Sequence, residues 1–187
     1  MNFCADCGHP VEFRIPHGDT LPRYICKTCD SIHYQNPNIV AGCLLETEGQ
    51  VLLCKRAIEP GYGLWTLPAG FMENAETTHA GAAREAHEEA HASSDQLSLF
   101  CLYNLPHINQ VYMMFYGQLK DGYASPGEES LETELFSEAD TPWEQIAFPV
   151  ITESLQLFFS DRKRGNIGFH RGDIIKQATG EYKVIRY

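Results

Sequence analysis

The chain has 187 residues, enough for one full core and a small appendage, and its net charge of −11 argues against general nucleic-acid binding, because polyanions are held chiefly by Lys and Arg. Hydrophobic residues make up 43% and charged ones 21%, as in ordinary soluble proteins. No apolar run reaches the length of a membrane span, and the opening MNFCADCGHP has neither a basic nor an apolar leader segment, so a cytoplasmic protein without a membrane partner is expected.

Two CxxC pairs open the chain, Cys4 with Cys7 and Cys26 with Cys29, eighteen residues apart. This spacing suits two knuckles closing a tetrahedral thiolate site for Zn²⁺. Four thiolates saturate the metal and leave no open position for a substrate, so the role is structural and the surrounding ribbon depends on the ion for its fold. A redox CxxC is the alternative. His9 and His33 lie close enough to substitute as ligands. Cys43, Cys54 and Cys101 stand alone in apolar segments and read as core thiols. Asn36-Pro37 favours an extended or turn conformation and closes the ribbon, which predicts a first domain over 1–36.

A second domain is predicted over 37–160. Apolar runs at Ile39–Glu46 and Gln50–Lys55 flank Glu48-Gly49 and predict a hairpin. Past a Pro60–Gly63 loop, Leu64–Gly70 leads into a helix over 77–90. With Glu85 set at zero on that helix, Glu88 falls at about −60° and Glu89 at about +40°, so three carboxylates share one narrow face. Such a cluster calls for a compensating cation, and a hard divalent ion, Mg²⁺ or Mn²⁺, is the natural one. Ala82, Ala83, Ala86 and Ala90 form a small apolar stripe able to press on a sheet, while Gly81 implies a close approach to the helix backbone. Strands are expected over 96–103 and 111–119, then an acidic loop over 126–134 with a short strand at Leu135-Phe136, a short helix capped by Thr141, and a packing helix over 149–160.

From Asp161 to Tyr187 seven Lys or Arg face three acids, a local charge of +4 that leaves −15 for the rest. This basic extension, 161–187, offers a contact to a phosphate or an acidic partner, or else a solvated strand or the contact edge of a homodimer.

The register Gly70, Glu76, Arg84-Glu85, Ala86, Glu88-Glu89 resembles the signature of the Nudix hydrolases almost position for position. His91 departs from it, standing where that pattern has a glycine at the end of the helix. The zinc ribbon, YQNP, GLWTLPAG, PGEESLE, the Pro142-Trp143-Glu144 stretch and Gly168-Phe169-His170 are similar to a zinc-ribbon subgroup of that family that includes a plant chloroplast FAD pyrophosphatase.

The resemblance implies an α+β fold, an α/β/α sandwich with a mixed sheet preceded by a small zinc ribbon. It also implies that Glu85, Glu88 and Glu89, with Gly70, hold Mg²⁺ or Mn²⁺, while Arg84 pairs with Glu76. The activity implied is hydrolysis of a nucleoside diphosphate linked to another group, with FAD, ADP-ribose or NADH as candidates, to AMP and a phosphorylated product. Glu129 and Glu132 are candidates for a further glutamate from a late loop, and Tyr34, Tyr62, Tyr103 and Tyr112 for an adenine platform. Two other readings stay open: an NADH or NAD-capped RNA hydrolase, and a domain that binds a nucleotide as a regulator without cleaving it.

Overall fold

The computed structural model describes residues 1–187, which divide into two compact units, Met1–Pro37 and Asn38–Tyr187. The smaller unit holds three short antiparallel strands, β1 (Val11–Arg14), β2 (Arg23–Cys26) and β3 (Ile32–His33). Phe13 and Tyr24 pair directly across β1 and β2, with ring centroids 4.8 Å apart. Its buried side chains are Cys4, Pro16, Ile25 and Cys26. So few cannot form a core that would hold the unit by hydrophobic burial alone.

The larger unit is organised around β4 (Asn38–Thr47), whose run from Val40 to Glu46 is buried throughout. A strand covered on both faces needs a continuous apolar run rather than an alternating one, and Val-Ala-Gly-Cys-Leu-Leu supplies it. Successive side chains go to opposite faces. Val40 and Leu44 therefore join one core with α2 (Pro149–Arg164), while Ala41, Cys43 and Leu45 join a second with α1 (Thr78–Ala90). The alanine stripe of α1 meets the sheet as its size requires: Ala82, Ala86 and Ala90 are buried, and the Cys43 thiol donates to the Ala82 carbonyl at 3.1 Å.

Around β4 stand β5 (Gln50–Arg56), β6 (Trp65–Thr66), β7 (Ala69–Phe71), β8 (Leu97–Leu105), β9 (Gln110–Gln118), β10 (Ser130–Phe136), β11 (His170–Lys176) and β12 (Tyr182–Arg186). The nine-stranded sheet runs β10-β5-β4-β9-β8-β11-β12, with β6 on β5 and β7 on β4. It is mixed: β4 with β9 and β8 with β11 are parallel, the other pairs antiparallel. With a helix on each face it is the α+β sandwich that the resemblance implies. No helix is long and apolar enough to cross a membrane.

Three details differ from expectation. The acidic stretch before Leu135 is largely strand rather than loop: β10 begins at Ser130 and pairs with β5 on one side only, so Glu132 and Glu134 project from an edge, where charge is tolerated and discourages further pairing. Thr141 is not a helix cap; its hydroxyl donates to the Ser137 carbonyl at 2.7 Å, and a single 3₁₀ turn, Trp143–Gln145, follows. The charge shift at residue 161 is not a domain boundary, because α2 runs across it to Arg164 and the tail then adds β11 and β12 to the sheet.

Ion pairs to two buried carboxylates tie that tail down. Arg186 of β12 donates to both oxygens of Glu153 on α2, at 2.6 and 2.9 Å, and the Tyr103 hydroxyl adds a third bond at 2.8 Å. Burial alone pushes the Glu153 carboxyl up, but Arg186 and Tyr103 outweigh it and hold the group below its ordinary value. Asp161, also buried, accepts the Gly168 N–H at 2.8 Å and lies 2.7 Å from His170 Nε2.

Candidate functional site

In the smaller unit the four cysteines of the two CxxC pairs converge. Their sulfurs lie within 4.8 Å of one another, with Cys4 3.6 Å from Cys29 and Cys7 3.4 Å from Cys26. A tetrahedral zinc–thiolate site with Zn–S bonds near 2.3 Å places its sulfurs about 3.8 Å apart, so the cluster has the dimensions of that site. Hydrogen bonding to Ser31 lowers the Cys29 thiol to about 6, while, against a backbone hydrogen bond from His9, the hydrogen bond to Cys29 and burial push the neighbouring Cys7 up to about 12. His33 Nε2 stands 3.2 Å from the Cys4 sulfur, close enough for the supporting contact that zinc thiolates commonly receive. By contrast the three lone cysteines are buried, and burial pushes Cys43 and Cys101 up to about 12.

In the larger unit the chemistry gathers on α1. Thr77 caps the helix by accepting the Ala80 N–H at 3.1 Å, and His91 ends it in the left-handed conformation at φ 45°, its ring Nδ1 3.2 Å from the Ser125 carbonyl. The histidine thus takes the backbone shape usually left to glycine and adds a side-chain contact that glycine cannot make. Loop 125–127 continues the closure, since the Ser125 and Gly127 N–H groups donate to the Ala90 and Glu89 carbonyls at 2.8 and 3.0 Å. Gly127 is needed there: a Cβ would stand 1.7 Å from the Glu88 carbonyl oxygen. This close approach sets Glu128 and Glu129 beside the helix acids.

Arg84 binds the acids together. It donates to Glu76 through Nε at 3.1 Å and Nη2 at 2.9 Å, and its Nη1 reaches Glu85 at 2.7 Å and Glu88 at 2.9 Å. Glu76 also accepts the Glu73 N–H at 2.7 Å and lies against Gly81, where a Cβ would come within 2.7 Å of its oxygen. Gly70 makes room for Glu85 in the same way, since a Cβ would meet that carboxylate at 2.4 Å. Glu85 and Glu89 are buried, Glu88 exposed. Burial first, and then Glu85, pushes the Glu89 carboxyl up to about 8; burial likewise raises Glu85 against the pull of Arg84. Arg56 pulls Glu89 the other way without offsetting its burial.

The acids line a cleft of about 980 Å³ with Arg56, Tyr112, Glu128, Glu129 and, from the tail, Lys176 and Tyr182. Of the two late-loop candidates Glu129 is on the cleft, whereas Glu132 lies on β10 and pairs with Lys55 at 3.0 Å. Among the tyrosines Tyr112 lines the cleft; Tyr103 is fully buried against Glu153, Tyr62 is exposed, and Tyr34, in the smaller unit, lies under the Arg23 guanidinium at 5.1 Å. Arg56, Lys176 and Tyr182 were not foreseen. Arg56 ends the largely apolar β5 and gives no spacing signal, and for the other two only the basic composition of the tail pointed this way.

A sequence model of the NUDIX domain matches residues 36–154, and one of the Nudix N-terminal zinc ribbon matches residues 2–35. The chain belongs to the Nudix hydrolase family. A solved NUDIX hydrolase from Nitrosomonas europaea shares 55% identity with this Nudix chain and superposes at a TM-score of 0.90, covering 94% of this chain and 100% of that one. An ADP-ribose pyrophosphatase from Methanocaldococcus jannaschii is 28% identical over 62% of this chain and 69% of its own length. The NAD-capped RNA hydrolase NudC of Photobacterium profundum is 24% identical over 89% of this chain but only 63% of its own length. Nudix enzymes work with divalent metal ions, and the acidic cluster suits one. It offers hard oxygen donors, and Gly70 leaves the Glu85 carboxylate its space.

Proposed function

We propose that this Nudix enzyme hydrolyses a nucleoside diphosphate linked to another group, ADP-ribose first and FAD next, to AMP and a phosphorylated product. The observation that carries this reading is the buried Glu85 and Glu89 pair at the floor of a cleft large enough for a nucleotide. Glu85, Glu88 and Glu89, with the Gly70 backbone, are the ligands for Mg²⁺ or Mn²⁺. When bound, such an ion neutralises charge on phosphate oxygens and lowers the pKa of water. Arg84 holds Glu85 and Glu88 in place and ties Glu76 to the helix. Glu129, set beside the helix by loop 125–127, is placed to take a proton from the attacking water. Arg56 is pre-organised for a phosphate: its Nε donates to the Pro60 carbonyl at 2.8 Å and its guanidinium lies over the Phe148 ring at 5.1 Å. The four thiolates hold Zn²⁺ as a structural ion.

Similarity to NudC across 89% of this chain, ribbon included, favours a second reading, hydrolysis of NADH or NAD-capped RNA, against which the net charge of −11 stands. Phosphate release coupled to a phosphatase, run over ADP-ribose, FAD, NADH and NAD-capped RNA with and without Mg²⁺, separates the readings. Metal-dependent turnover of ADP-ribose or FAD above the other two supports the first. Preference for NADH and capped RNA supports the second, and binding without turnover of any of the four leaves a nucleotide-binding regulator.

A further inference from the structure

The cleft is electrically lopsided. Glu85, Glu88, Glu89, Glu128 and Glu129 crowd around α1, whereas β11 and β12 bring a cation and an aromatic ring, Lys176 and Tyr182. These two are paired residues of one antiparallel ladder, and the Lys176 ammonium stands 6.0 Å from the centre of the Tyr182 ring. Lys176 makes no ion pair with any carboxylate. The His107 ring, from the turn between β8 and β9, lies 5.5 Å from Tyr182 at 57°, and Tyr182 remains 42% exposed. A ring on an edge strand, propped by a second ring and a cation yet open to the cleft, is a stacking platform in search of a flat partner.

Its position is held from beneath. Tyr182 opens the short β12, and the same strand is fastened four residues later by the bidentate pair of Arg186 with the buried Glu153. β12 is therefore not a loose end lying over the cleft, and a ligand that stacks on Tyr182 does not have to order the strand first.

From this arrangement we infer that Tyr182, supported by His107 and Lys176, binds the planar ring of the substrate, so that the tail strands select ligands with a heteroaromatic ring at one end and a pyrophosphate at the other. The inference rests on the pyrophosphatase reading above and adds the subsite that recognises the nucleobase. Stacking of this kind is made equally in the ground and transition states, so it acts on KM rather than kcat.

The test compares Tyr182→Leu and Tyr182→Phe with the wild type on ADP-ribose, and measures inhibition by AMP, which carries a ring, and by inorganic pyrophosphate, which does not. Tyr182→Leu is expected to raise KM and the AMP inhibition constant about tenfold, with kcat and pyrophosphate inhibition unchanged, and Tyr182→Phe to match the wild type. Lys176→Gln should give a smaller rise of the same kind. An unchanged KM and AMP constant in Tyr182→Leu would overturn the inference, and so would an equal loss towards AMP and pyrophosphate, which marks general disturbance of the cleft. Should the wild type hydrolyse nothing, the pyrophosphatase reading fails by itself. Equilibrium titration with AMP then still decides the subsite: weaker binding to Tyr182→Leu than to wild type or Tyr182→Phe upholds it, and equal binding to all three overturns it.

Discussion

The thiolate cluster of the smaller unit and the carboxylate cluster of the larger one differ in what holds them together. Around the thiolates there is almost no core, with Cys4 and Cys26 themselves among the few buried side chains. The carboxylates ride on a helix whose alanines pack into a nine-stranded sheet. In the first case the ligands are themselves most of the scaffold, and an ion bound there would supply the folding energy; in the second the scaffold is complete, and it forces charges together that would otherwise separate. A metal bound at the first site would be a cause of structure, and one bound at the second a relief of charge repulsion.

That contrast is broken most directly at the thiolates. Metal analysis of the wild type should find one zinc per chain, and Cys26→Ala with Cys29→Ala should remove it and unfold residues 1–37, since structural zinc contributes on the order of 10 kcal/mol or more. Hydrogen exchange should show protection lost there while strands β4, β5 and β9 keep theirs. Zinc retained in this variant would show that other residues hold it.

At the carboxylates the expected loss is of activity, not structure. Glu85→Gln or Glu89→Gln should lower kcat by roughly a thousandfold or more with circular dichroism unchanged, because the charge they organise matters most in the transition state. Retention of more than about a tenth of kcat by Glu85→Gln, worth about 1.4 kcal/mol of barrier, would place the metal elsewhere.

The same pair predicts an inverted pH dependence. Glu89 is raised in the folded protein to about 8, so between its unfolded value near 4.5 and that point the folded state binds the extra proton. Stability of the metal-free enzyme should therefore fall as pH rises through this window, by up to a few kcal/mol, and Mg²⁺ should flatten the slope. Thermal melts at pH 5 and 8 check this, with Glu89→Gln as the control that removes the difference. Breaking a pair remote from both candidate metal sites gives the scale: Arg186→Leu strands the buried Glu153 and should cost roughly 2 kcal/mol, partly recovered when Glu153 is also made Leu.

His91→Gly is expected to have the smallest effect. Glycine relieves a left-handed cost of about 1 kcal/mol, but the contact to Ser125 is lost, and an exposed hydrogen bond contributes a similar amount. Denaturant midpoints of the two proteins should agree to within about 0.5 kcal/mol, and a clear loss would show that the Ser125 contact dominates.

Much of this was legible in the chain because local periodicity carries it. The three acids share a face by helical arithmetic, and β4 announces its double burial by an unbroken apolar run. What stayed hidden is long-range. Glu132 and Glu134 resemble loop residues because an edge strand and a solvated loop accept the same charges. Tyr103 and Tyr182 are chemically alike, and only the sheet order buries one under α2 and leaves the other on the rim. Nor could spacing pair Glu153 with an arginine 33 residues away.

That last pairing carries a consequence for the nascent chain. Helix α2 is synthesised with a carboxylate on its buried face, and the guanidinium that neutralises it emerges only with β12. At about 5–20 residues per second the wait lasts a few seconds, during which docking α2 would bury an unpaired charge. Final closure of the core against α2 is thus expected to follow the arrival of β12, with the order of synthesis setting the order of assembly at this edge of the sheet.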